Sequence, residues 1–172
     1  MSSITRSLYE SRWKEGYCQL FSYFVEIPAG QTVDYVLDVG ESLDYVIRAF
    51  ILEASGVEII EWQSFVATQY TDGTGVTVNA SPRNSRNNKA SETKLVISPT
   101  IISDGVPLVT PARELLAQNF AGSRFYMRQN LLGSGLPDEL LLLQKSLSYM
   151  VRITNTDNST AKVNLIAEGW NQ

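Results

Sequence analysis

The chain has 172 residues, 44% of them apolar and 19% charged, with a formal charge of -4. That is the size of one domain, with enough apolar surface for a core that buries roughly 70% of what the unfolded chain exposes. Histidine is absent and Cys18 is the one cysteine, which excludes Ser-His-Asp and Cys-His nucleophile systems, His-based zinc sites and any intramolecular disulfide.

Residues 1–20 carry five charges and no uninterrupted apolar stretch, so neither a targeting segment nor a membrane span is expected there. Tyr9, Trp13 and Tyr17 are spaced by four, which puts the three rings on one helical face. Two readings follow: a short helix packed on its own domain, or an N-terminal arm over 1–20 whose aromatic anchors dock on a neighbouring subunit.

From Phe21 the period becomes two. Phe21, Tyr23, Val25 and Ile27 alternate before Pro28-Ala29-Gly30, and Val33, Tyr35, Leu37 and Val39 alternate after it, a hairpin signal. Tyr45 to Leu52 is apolar on both faces, as in a central strand. Val57 to Trp62 and Ser64 to Tyr70 are further strands, followed by the turn Asp72-Gly73-Thr74-Gly75.

The stretch 79–93 is rich in Asn, Ser and basic residues and nearly free of large apolar ones, so a long exposed loop is expected. Lys94 to Ser98 and Thr100 to Ser103 return to strand character. Thr110-Pro111 followed by ARELLAQNFAG carries an N-cap, a first-position proline and Gly122 near its end, the signature of one short helix over Thr110 to Gly122. Phe125 to Met127, Glu139 to Leu143, Ser146 to Thr154 and Ala161 to Ala167 complete the series. Nine or ten short strands without βαβ alternation predict an all-β fold: a single antiparallel β-sandwich or jelly roll over 21–172, with an N-terminal arm and one short helix.

No catalytic constellation is marked. The Gly-rich pieces lack the Lys-Ser/Thr ending and the strand-to-helix context of nucleotide loops. Asp34, Asp38, Glu41 and Asp44 are hard oxygen donors of the kind calcium takes, but Asp34 and Asp38 alternate with apolar residues on a strand, which favours a solvated outer face. Glu58 and Glu61 are carboxylates with no local feature that marks them as an acid/base pair. No enzyme activity, cofactor or metal is expected. Charge is uneven: residues 1–20 carry +1, 21–72 carry -8 and 73–172 carry +3. The basic residues Arg83, Arg86, Lys89 and Lys94, opposed there only by Glu92, suit an acidic partner surface or the acidic half of a neighbouring copy. They lack the interleaved aromatics of a nucleic-acid site, so no nucleic acid and no membrane partner are expected.

Tyr23-Phe24-Val25-Glu26-Ile27-Pro28-Ala29-Gly30-Gln31-Thr32, then Gly56-Val57-Glu58, Asn79 with Pro82-Arg83-Asn84-Ser85, and Leu147 to Asn155 with Trp170, taken in that order, resemble tailed-bacteriophage structural proteins. In particular the chain is similar, over about 21–172, to the jelly-roll decoration, or cement, proteins of phage heads. The resemblance implies a homotrimer on the outer capsid surface, made in the host cytoplasm, that bridges major capsid subunits and strengthens them against internal pressure. It implies no catalytic residues. The 79–93 loop and the expected helix depart from the simplest members. Within that frame Tyr9, Trp13, Tyr17, Arg83, Arg86, Lys89 and Lys94 are the candidate partner-binding residues. The alternative function is a carbohydrate- or receptor-binding module of a phage tail or tailspike, with Trp62, Tyr70 and Trp170 weighed as sugar-stacking rings against core packing.

Overall fold

The structure, a computed structural model, describes residues 11–57, 59–84, 86, 89–115, 123–126 and 141–172. Fourteen strands are found among them. Eight form the framework: β1 (Gln19–Ile27), β2 (Thr32–Asp38), β3 (Tyr45–Ser55), β4 (Ile59–Val66), β10 (Val106–Leu115), the β11/β12 pair (Ser123–Tyr126 and Leu141–Leu143), β13 (Ser148–Thr154) and β14 (Ala161–Asn171).

Every ladder is antiparallel. β1 pairs with β14, β2 with β13, β3 with both β11 and β12, and β4 with β10. The first half of the framework thus pairs with the second half in reverse order, like one long hairpin. Rolling that hairpin up brings β14 onto β3 and β13 onto β4. With the short strands β6 (Val76–Val78), β7 (Ser81–Pro82) and β8 (Lys94–Ile97) added, the result is two sheets, β7-β1-β14-β3-β11 (with β12 also on β3) and β6-β8-β2-β13-β4-β10, the double-sheet jelly roll.

Two sequence expectations change here. Pro28-Ala29-Gly30 is not a hairpin turn, because β1 and β2 lie in different sheets; it is a crossover between layers. Asn155 pins it in place. It is wholly buried, its amide donates to the carbonyls of Ile27 (2.8 Å) and Ser159 (2.7 Å), and its own carbonyl accepts from Gly30 N–H (2.9 Å). One side chain therefore locks the β1–β2 crossover to the β13–β14 crossover beside it. The second change concerns Thr110-Pro111. Instead of opening a helix, these residues lie in β10, an edge strand that pairs with β4 through register shifts on either side of Val109. The unpaired side of β4 takes this segment as its partner. Pro111 has no N–H to donate and falls within the second irregularity, where the ladder does not need one. Residues 116–122 of the expected helix lie outside the described residues. Helical structure among the described residues is the short turn 11–14.

The main core fills the space between the sheets. Phe21, Tyr35, Tyr45, Ile47, Leu52, Trp62, Ile153 and Leu165 are all at most 2% exposed, and each such side chain taken out of water stabilises by roughly 2 kcal/mol. The β4–β10 connection is a long insertion. Its strands β8 (Lys94–Ile97) and β6 (Val76–Val78) extend the second sheet beside β2, β7 (Ser81–Pro82) joins the first sheet beside β1, and β5 (Gln69–Tyr70) pairs with β9 (Ile101–Ser103). Phe65, Met150, Val36 and Val96 form one row across β4, β13, β2 and β8 on the sheet's outer side, with Tyr70 and Ile101 packed against them. That row is an apolar strip on an outer face otherwise carrying Asp34, Asp38, Ser148 and Arg152.

Candidate functional site

The candidate residues are gathered at the end of the first sheet where β1 begins and β14 ends. Residues 11–14 form one helical turn, closed by the bonds Tyr17 N–H to Arg12 O (3.0 Å) and Gly16 N–H to Trp13 O (3.1 Å) with Gly16 at φ 83°. This left-handed cap ends the helix. The single helical face expected for Tyr9, Trp13 and Tyr17 is therefore cut at Gly16. Tyr17 turns inward against Cys18, Val46 and Trp170, with the Arg12 guanidinium 5.2 Å from its ring centre, while Trp13 stays 41% exposed. Tyr9 lies outside the described residues.

The 79–93 segment meets this turn. The Trp13 indole N–H donates to Arg83 O (3.2 Å), the Asn84 amide donates to Trp13 O (3.1 Å) and Lys14 O (3.3 Å), Arg83 N–H donates to Cys18 O (3.0 Å), and Lys89 N–H donates to Gly16 O (3.0 Å). Beneath them Glu168, nearly buried, is flanked by Arg48 (3.4 Å) and Arg83 (3.3 Å). Burial, and then the Glu168 charge, push the Cys18 thiol from its ordinary 9.0 to about 11. The outcome is a lobe of Arg12, Lys14, Arg83, Arg86 and Lys89 around a half-exposed Trp13, net basic because Glu15, 3.5 Å from Arg12, and Glu168 offset only part of it.

Lys94 does not belong to this lobe. It begins β8 on the second sheet, where its ammonium lies 3.4 Å from Asp38 and 3.5 Å from Asp72, with the Tyr70 ring centre 5.9 Å away. The Tyr70 hydroxyl donates to Asp38 (2.5 Å), and burial pushes that phenol up to about 12. Asp34 and Asp38 both lie on the outer face of this sheet with their charges engaged. Arg152 forks onto Asp34 (2.7 and 3.1 Å) and onto Asp104 (2.9 Å twice). No group of three metal-binding side chains occurs among the described residues, and no helix among them is long and apolar enough to cross a membrane.

A second lobe lies next to the basic one. The β2–β3 connection carries Glu41, Leu43 and Asp44. Glu92 reaches it through Ser42 N–H (3.1 Å), and Lys145 N–H donates to Asp44 (2.8 Å). Glu41 and Glu92 are exposed, and Leu43 is 40% exposed between them. Of the rings weighed for sugar stacking, Trp62 and Trp170 are interior, at 1% and 0% exposure, and Tyr70 is tied to Asp38. Asn84, which the sequence does not mark as a site residue, holds the site together by bonding Trp13 and Lys14, while Asn155 fixes the opposite end of the sheet. Polar residues in loops carry no periodic signal, so their side-chain bonds become visible only in the fold.

No protein-family model matches the chain, and no curated protein matches it significantly. Among solved structures there is weak likeness to viral particle proteins. A mutant VP2 protein of infectious bursal disease virus, from derived T=1 particles, has 11% identity and a TM-score of 0.21 over 90% of this chain and 40% of that one. A structure of the Gx strain of the same virus has 12% identity and a TM-score of 0.15 over 92% and 39%. The chain spans about two fifths of the length of those proteins.

Proposed function

We propose that this chain is a virion structural protein that decorates the outer surface of a bacteriophage capsid, bridging major capsid subunits as a homotrimer. The observation that carries the reading is the end of the sandwich. A half-exposed tryptophan lies in a predominantly basic lobe, and the turn and the 83–89 segment that form it are bonded to each other and to the start of β1 on the packed framework. Such a site has the parts of a docking surface, an aromatic anchor with charged surroundings on a rigid support. The jelly roll and the resemblance to phage-head decoration proteins support the same reading. Bridging multiplies weak contacts, because the second and third contacts of a trimer are effectively intramolecular.

Particles with and without the protein would be compared for the temperature at which they release their genome. Decorated particles release at the higher temperature; equal temperatures would overturn the bridging role.

A further inference from the structure

Taking the proposed homotrimer as given, we propose that the basic lobe is the surface by which copies of this chain meet, and that its partner is the acidic lobe of the neighbouring copy.

The two lobes are side by side on one molecule. β1 and β14 pair at Gln19 and Gly169, and β14 and β3 pair at Asn171 and Tyr45, so the start of β1 and the start of β3 stand at the same end of the first sheet. The insertion crosses that end. It is held at Arg83 to Cys18 O, at Lys89 to Gly16 O, at Ser91 to the Asn171 side chain (2.9 Å) and at Glu92 to Ser42. Along this path the charge reverses. Arg83, Arg86 and Lys89 lie at the Trp13 end, and Glu92 joins Glu41 and Asp44 at the Leu43 end.

Each lobe has an exposed apolar residue inside a rim with an excess of one sign: Trp13 at 41%, where Arg12, Lys14, Arg83, Arg86 and Lys89 outnumber Glu15 and Glu168, and Leu43 at 40%, where Glu41, Asp44 and Glu92 outnumber Lys145. A surface with one such lobe is complementary to an unknown partner. A surface with both, of opposite sign, is complementary to itself. When copy meets copy, Trp13 and Leu43 are covered together while the rims attract across the boundary. In the homotrimer taken as given, one copy engages one neighbour through its cations and another through its carboxylates. That is a head-to-tail contact, which yields a closed ring when the rotation closes.

Sedimentation velocity of the isolated protein over a salt series tests this without any capsid. At about 50 mM salt the chain sediments as a trimer, and at about 500 mM, where screening extends over only a few ångströms, its association weakens at least tenfold. Arg86→Glu with Lys89→Glu produces monomer at low salt, and so does Glu41→Lys with Glu92→Lys. All four changes in one chain restore the trimer. Thermal melting of each variant reports that the fold is retained, and the salt series on the unmodified chain needs no variant. A wild-type monomer at low salt, association indifferent to salt, or reversals that leave the trimer intact would each overturn the proposal, as would a folded four-fold variant that stays monomeric. Particle binding by the same proteins is scored separately. A monomer that still decorates sinks this interface and leaves the decoration reading standing, whereas a salt-sensitive trimer that ignores particles does the reverse.

Discussion

Asn155 joins two layer crossings through one buried side chain. Its amide and backbone tie the two layer crossings, and its side chain is buried at 0% exposure with the bond to Ile27 fully buried and that to Ser159 partly so. Asn155→Ala leaves those carbonyls unpaired and is expected to cost about 2–3 kcal/mol, read as a lower urea midpoint with an unchanged slope. Cys18 gives a pH prediction. Its thiol is pushed up to about 11 in the folded chain, so the neutral form is favoured by folding. The stability this confers is fully present below about pH 9, where the unfolded thiol is also protonated, and is lost as pH rises through about 11. Burial raises the Tyr35 and Tyr45 phenols in the same sense. Urea unfolding from pH 8 to 11 should show stability falling, and Cys18→Ala should flatten that fall; an identical slope in the variant would remove the thiol from the account. None of this was legible in the sequence. Asn155 looks like one more polar residue in the connection after Thr154, and Cys18 gives no sign of the carboxylate placed beside it by strand pairing.

At the scale of elements, period-two alternation located most strands, including β1, β2, β3 and β13, because half-buried sheets impose it on the chain. It did not say which strands pair. Pro28-Ala29-Gly30 carries the residues of a hairpin turn and serves as a layer crossing, since long-range ladders between β1 and β14 and between β2 and β13 outcompete the local one. Thr110-Pro111 carries helix-start residues and lies in an edge strand, where tertiary pairing overrides propensity. The charged segment was recognised as a feature, but its strapping across the sheet end depends on bonds from Trp13, Gly16 and Asn171 that no local pattern encodes. The N-terminal turn supplies a test at this scale. Gly16 at φ 83° closes it, and an alanine there costs about 1–2 kcal/mol in a left-handed conformation. Gly16→Ala should loosen residues 11–16 and the 83–89 segment bonded to them while leaving the sandwich intact. Hydrogen exchange would show faster exchange at Arg83 and Lys89 and unchanged protection in β13. Loss of protection in β13 would mean that the turn is part of the global fold rather than an attachment to it.

For the whole molecule, the two layers enclose a main core of apolar side chains, and the distinctive chemistry lies at one end of it. Among the described residues the carboxylates of the outer sheet face are engaged by Arg152, Tyr70 and Lys94, and the two end lobes carry net charge of opposite sign. A body built this way suits holding neighbours at fixed spacing. The decoration reading is tested most directly by a three-dimensional map of purified particles carrying the protein. The account predicts sandwich-shaped density on the outer shell in groups of three, each group touching more than one major capsid subunit. Density confined to the tail, or absence of the protein from the particle, would contradict it.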